Sequence, residues 1–289
     1  MILKHYLFRA AKDPLNFIML ILFPLVMVAV FITTSTHGVP FDLREYNGFC
    51  LQASGMLAFN VLFFQYFCGM IVTDYLYSEF RTDMRWRIMA TPKPFSHFIL
   101  SAVGASIIIS AINGAVVLTA ARFLFNAYFN IPVTIISLIG LSIFVTLFGV
   151  LCFLLFPKKS TTTAVIMVFA FSQMVALNFS LISMAPFGEL GIDSLLPIGA
   201  ASNAINYASG TLFSLNTPEI YIENAIAQYG PAYADSIIAR VEAIDSIWEL
   251  GYNMFGSDMR LAFVNLGILA GLIATVLIAV IVVGKVRKI

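Results

Sequence analysis

Six unbroken apolar blocks, over residues 15–32, 51–73, 98–121, 133–156, 163–184 and 261–283, leave this chain few ways to fold. A helix needs roughly 20 residues, at about 1.5 Å each, to cross a hydrocarbon core about 30 Å thick. The blocks are of that length. Their hydrophobicity is continuous rather than alternating, which predicts membrane-spanning helices and argues against a membrane barrel. Composition agrees: 60% of residues are hydrophobic and 11% charged, with a mean hydropathy of +0.94. A water-soluble fold would have no polar surface left. The expected fold is an all-α integral membrane protein with six transmembrane helices, a single domain over residues 1–289.

The orientation follows from the basic residues. With the amino terminus inside, Lys4, Arg9, Lys12, Arg81, Arg85, Arg87, Lys93, Lys158, Lys159, Lys285, Arg287 and Lys288 share one side, 12 of the 16 Lys and Arg. Arg44, Arg122, Arg240 and Arg260 fall on the other. The positive-inside rule then puts both termini in the cytoplasm of a multi-pass plasma-membrane protein. Acidic residues divide the opposite way, 11 of 15 outside, so a net charge of +1 conceals a polarised molecule. The first block exceeds the about 7–15 residues of a signal-peptide core, and no small-residue cleavage site follows Thr33-Thr34, so it reads as a retained anchor. Cys50, Cys68 and Cys152 lie in or beside the spans without metal-ligand spacing and are expected to be small buried hydrophobes.

Residues 1–14 form the expected interfacial elbow. Ile2, Leu3, Tyr6, Leu7 and Ala10 share one helical face, with Lys4, His5, Arg9 and Lys12 opposite. Asp13-Pro14 then restarts the chain as a new helix, and Pro24 should kink the first span. Residues 74–97 carry Asp74, Glu79, Arg81, Asp83, Arg85, Arg87 and Lys93 among Phe80, Met84, Trp86, Ile88 and Met89. Such a mixture suits a cytoplasmic helix that docks on a partner; the other reading is a solvated loop whose arginines only set topology. The turn at Phe156-Pro157-Lys158-Lys159-Ser160 is short, so the fourth and fifth spans are antiparallel neighbours.

Residues 185–258 form a long external insertion of their own structure, a helical cap between the fifth and sixth spans. Within it residues 195–207 are apolar enough to dip into the membrane surface, and a helix opening at Pro231 carries Asp235, Glu242, Asp245 and Glu249 on its polar face. This acidic face either meets a cationic peptide or simply keeps the cap solvated. No internal repeat, Gly/Ser linker or second soluble domain is visible.

No Asp or Glu sits within a span and no HExxH occurs, so acid–base and metalloprotease chemistry lack their parts and catalysis is not expected. The same absence argues against proton-coupled transport. The only Lys-Ser pair, Lys159-Ser160, follows Pro157-Lys158 without glycines, so the chain has no phosphate-cradling loop. Neutral polar residues remain inside the spans: Asn60, Gln65, Asn113, Gln173, Asn178 and Asn265. They are either interhelical glue, at roughly 0.6–2 kcal/mol each, or the lining of a translocation path.

Four features in order resemble the type-two permeases of ABC transporters, mostly bacterial exporters. The basic elbow with Arg9-Ala-Ala-Lys-Asp-Pro14 and then Leu22-Phe23-Pro24-Leu25 is similar to the family's entry into its first span. Glu79, Arg85, Arg87 and Met89-Ala90-Thr91-Pro92 resemble the loop that contacts the ATPase. The compact third to fifth spans, and Pro186-Phe187-Gly188 followed by Leu195-Leu196-Pro197, resemble its later spans and re-entrant external helices. Two departures stand out: Phe80-Arg81-Thr82-Asp83 replaces the glycine usual after the glutamate, and the external region is longer. The resemblance implies a permease that pairs with a second permease subunit and docks a separate ATPase subunit through Glu79, Arg85, Arg87, Met89 and Pro92. ATP and Mg would be held by that partner, with no cofactor in this chain. Its surroundings would be membrane lipid and its cargo a peptide, drug or other amphipathic molecule, with no nucleic acid. The rival reading is a noncatalytic membrane sensor or immunity protein that binds an extracellular ligand.

Overall fold

The computed structural model describes residues 2–13, 18–35, 61–82, 86, 90, 95–125, 129–183, 192–213 and 259–286. Among these, every regular element is helical. They are α1 (Ile2–Lys12), a π-helical turn (Ile18–Leu22), α2 (Phe23–Ser35), α3 (Tyr66–Phe80), α4 (Phe95–Phe125), α5 (Ile131–Leu155), α6 (Lys159–Ser183), a 3-10 turn (Ile192–Leu195), α7 (Pro197–Phe213) and α8 (Met259–Val286). Three of the described helices are long and apolar enough to cross a membrane: α4 over Ser96–Phe123, α5 and α8. The chain is a helical protein of the kind a bilayer accommodates, because a helix satisfies its own backbone where no water is available.

Local sequence explains the element ends. Asn130 caps α5 by accepting a 3.3 Å hydrogen bond from the Val133 amide, with Pro132 in the first turn, where no amide donor is required. Phe156 ends α5 in extended geometry before Pro157, and α6 begins two residues later. The irregularity expected at Pro24 takes the form of a π turn just before it, a usual way for a helix to accommodate a missing donor.

The bundle is organised about the contact of α3 with α5. A Cβ on Gly149 would lie 2.6 Å from the Gly69 carbonyl oxygen, and one on Gly69 would lie 2.9 Å from the Val145 carbonyl oxygen. Two backbones therefore meet with no side chain between them, as small residues permit inside membranes. Nine residues toward the start of α5 from Gly149, Gly140 receives Leu269 of α8. The helix α7 packs on α5 and α8, with Ala200, Ala204 and Ala208 fully buried at four-residue spacing. Residues 195–207, expected to dip into the membrane surface, lie largely in α7, a helix packed against two others. The reason is this alanine stripe, which lets α7 come close.

The helices share two ends. At one, Tyr6 and Ala10 of α1 pack with Tyr75, Leu76 and Phe80 of α3, Phe98 of α4, and Phe153 and Leu154 of α5, with Val280 and Val283 of α8 against them. At the other, Val133, Ala204, Ala208 and Ala262 form a separate cluster. The outward face of α8 is apolar and exposed at Phe263, Leu277, Ile278, Ile281 and Val282.

The packing sets a contrast between two glycines. Gly149→Ala forces α3 away from α5 and is expected to cost about 1–3 kcal/mol, whereas Gly271→Ala, with nothing within 4 Å of its Cβ, is expected to be neutral or slightly stabilising. Thermal unfolding in detergent measures both; equal stability of the two variants would contradict the close approach.

Candidate functional site

The chemistry-bearing side chains gather at the end of the bundle where α1 lies. Position 6 faces inward on α1, so the Tyr6 ring is fully buried and stacks on Tyr75 at 5.0 Å between centroids. Its hydroxyl donates to the Glu79 carboxylate, which is 9% exposed, 73 residues further along the chain. One helical turn on, Arg9 donates to Ser78 Oγ at 2.9 Å and to Asp74 Oδ2 at 3.3 Å, with its guanidinium over the Tyr75 ring. Asp74 also takes Lys159, the first residue of α6. Spacing explains the set: positions 74, 75, 78 and 79 lie on one face of α3.

A second group ties the same end to the turn before α6. Tyr77 Oη donates to the Phe156 carbonyl at 2.7 Å and lies 2.7 Å from Thr162 Oγ1. Thus α1, the end of α3, the end of α5 and the start of α6 form one latch.

The energetics differ among its parts. The Arg9–Asp74 pair is more than a third exposed on both sides and contributes at most about 1 kcal/mol. The Tyr6–Glu79 bond is buried and charge-assisted, the class worth about 1.5–3 kcal/mol. Burial raises the Glu79 carboxyl above the usual carboxylate range, opposed by the Tyr6 hydrogen bond and by Arg9 and His5. Burial also raises the Tyr6 phenol, chiefly ahead of its bond to Glu79, so it remains a donor. Because native Glu79 holds its proton more tightly than an unfolded chain does, the folded state gains stability as pH falls through the raised value, by relief of the buried charge, even though the Tyr6 bond favours the carboxylate. The gain is complete below the ordinary carboxylate value of about 4.3.

Deeper in the bundle, α3 begins after a tight turn at Gln65, where the Gln65 amide bonds Leu62 O and the Cys68 amide bonds Gln65 O. The buried Gln65 side chain accepts from Ser110 of α4, whose hydroxyl lies 2.5 Å from that of Ser142 on α5. Ser142 also lies 2.7 Å from Leu138 O, within donating distance. On α6, Gln173 donates to Tyr66 Oη at 2.7 Å and accepts from the Ile198 amide at 3.1 Å, closing the first turn of α7. Asn265 donates to Leu261 O, while its Oδ1 and the Ser137 hydroxyl are buried without a partner among the described residues. Asn113 lies on α4 and is 9% exposed. Cys68 and Cys152 are buried thiols.

The residues expected to act together from sequence are only partly covered. Glu79 is described and is engaged within the chain. Arg85, Arg87, Met89, Pro92, Asn60, Asp235, Glu242, Asp245 and Glu249 lie outside the described residues, as does the side chain of Asn178 and that of Cys50. Gln65 and Gln173 both attach to the start of α3, one to α4 and α5, the other to α6 and α7. Sequence reasoning missed Tyr6 as a partner of Glu79 and the Asp74–Lys159 pair; the only signals were a tyrosine on the inner face of the elbow and an acid at the edge of an apolar block. No protein-family model, no curated protein and no solved structure matches the chain.

Removing the donor tests the latch. Tyr6→Phe leaves a buried carboxylate unpaired and is expected to cost about 1.5–3 kcal/mol near neutral pH, while Glu79→Gln keeps the contact and abolishes its pH dependence. Protease cleavage rates between α1 and α2, followed from mild acid to neutral pH, read the difference. A Glu79→Gln chain with the wild-type pH slope would contradict the assignment.

Proposed function

We propose that this chain is the transmembrane subunit of an ATP-driven exporter in the plasma membrane, moving a peptide, drug or other amphipathic substrate while a separate ATPase subunit binds ATP and Mg. The observation that carries the reading is the latch: α3 ends with Glu79 and Asp74 fastened to α1 and α6, and the charged segment up to residue 97 follows it in the sequence. A push on that segment reaches three helices at once. Since Glu79 is occupied by Tyr6, contact with the ATPase falls to Arg85, Arg87, Met89 and Pro92.

The rest of the reading is six spans with both termini cytoplasmic, α1 as an interfacial elbow and residues 185–258 as an external cap. The shared end of α1, Val280 and Val283 supports it, as does the cationic character of the turn at Lys158 and Lys159. A second permease subunit completes the pathway, and ATP binding by the partners would switch the pair between inward- and outward-facing arrangements. Gln65 and Gln173 are engaged in bonds between helices, which favours a role in holding the bundle for these two positions.

Affinity purification of the full chain from its native membrane tests the proposal. An ATPase subunit is expected to co-purify, and Arg85→Ala with Arg87→Ala is expected to lower stimulation of its hydrolysis at least severalfold without loss of inserted protein. Recovery of the chain with no ATPase would overturn the exporter reading and favour a ligand-binding sensor.

A further inference from the structure

Between α5 and α6 runs an open groove of about 410 Å³ whose exposed lining is almost wholly apolar. Phe148 of α5 and Phe169 of α6, 4.7 Å apart between ring centroids, line it together with Val165 and Val168. It extends from Thr161 to Ser172 along α6, a rise of about 16 Å, and one leaflet of the hydrocarbon core is about 15 Å deep. Val168, one of the lining residues, is 69% exposed.

Charge marks one end of this groove. Thr161 lies in the first turn of α6, two residues after Lys159. Lys159 is paired with Asp74, whereas Lys158 is exposed and has no ion pair among the described residues. The free amides of the first turn of α6 add positive potential at the same place. The groove is therefore an apolar slot one leaflet deep with a cationic mouth.

We propose that this groove binds one acyl chain of an anionic phospholipid, with the headgroup phosphate at Lys158. A second copy of this chain is a poorer occupant. Two copies related by an axis along the membrane normal would bring their Lys158 side chains to the same depth and face like charges across the contact. A neutral lipid would fill the slot but leave its mouth uncompensated. The site deepens the proposed function: an exporter of amphipathic molecules would carry here a lipid that seats the α5–α6 pair. It rests on the membrane-spanning reading of these two helices and not on the ATPase partnership, so it can fail or succeed independently of that partnership.

The test uses the full chain with Trp86→Phe, Trp248→Phe and Val168→Trp, reconstituted without an ATPase into phosphatidylcholine vesicles containing a minor fraction of brominated lipid. Brominated phosphatidylglycerol is expected to quench the groove tryptophan more than brominated phosphatidylcholine does, corresponding to about fivefold enrichment at the site. Lys158→Gln, a change at an exposed position, is expected to make the two lipids equal, and Ala164→Leu, which narrows the slot, to weaken quenching by both. Equal quenching in the parent chain, or selectivity that survives Lys158→Gln, would overturn the proposal. Protection from both lipids that disappears on dilution into excess lipid would assign the groove to a second copy. Should the tryptophan variant fail to insert, the phosphatidylglycerol retained by wild type and Lys158→Gln in native mass spectrometry decides the same question, with equal retention as the contradicting result.

Discussion

Everything described here hangs on the place where α3 meets α5 backbone to backbone. Gly69 and Gly149 leave no side chain between the helices, so the Gly69 carbonyl oxygen lies only 2.6 Å from where a Cβ on Gly149 would be. In a bilayer, water does not drive helices together; close van der Waals packing and hydrogen bonds must do so. Once α3 is seated this deeply, both of its ends reach other elements. Its start offers Gln65 to Ser110 and Tyr66 to Gln173, and its end offers Asp74, Tyr77, Ser78 and Glu79 to α1, α6 and the turn before α6.

Those two ends are built from different chemistry. The inner contacts are neutral, with Gln65, Ser110, Ser142, Tyr66 and Gln173 joined across helices, and a membrane interior tolerates them because no charge is left to desolvate. The ionisable contacts sit at the end with the basic turn, where water and headgroups screen most of them. Glu79 is the exception: its burial is stabilised by one phenol and tuned by Arg9 and His5. A joint of this kind holds α1 against α3 without freezing it, since its strength varies with protonation.

Much of the frame was legible in the sequence. The three described helices of bilayer length, the amphipathic face of residues 2–12 and the short turn before Lys159 all follow from local pattern, because each is decided by neighbours within a turn or two. The pairings were not legible. Tyr6 with Glu79, and Gln173 with the amide of Ile198, join positions far apart in the chain, and nothing in spacing specifies which polar residue on one span meets which on another. Glu79 illustrates the limit: its neighbours suggested a charge presented to a partner, whereas its surroundings bury it against the elbow. Residues 195–207 illustrate it again, since their apolarity does not specify that alanines pack this helix against α5 and α8.

The account makes the arrangement at the α1 end depend on the seating of α3 against α5 some distance away. Double electron–electron resonance between spin labels at Lys4 and Ser160, both exposed, measures that dependence in lipid nanodiscs. A single narrow distance is predicted for the chain with Gly149 intact, and a broadened or shifted distribution for Gly149→Leu, because the latch on α1 and α6 is carried by α3. A narrow, unmoved distribution in a correctly inserted Gly149→Leu chain would contradict the account.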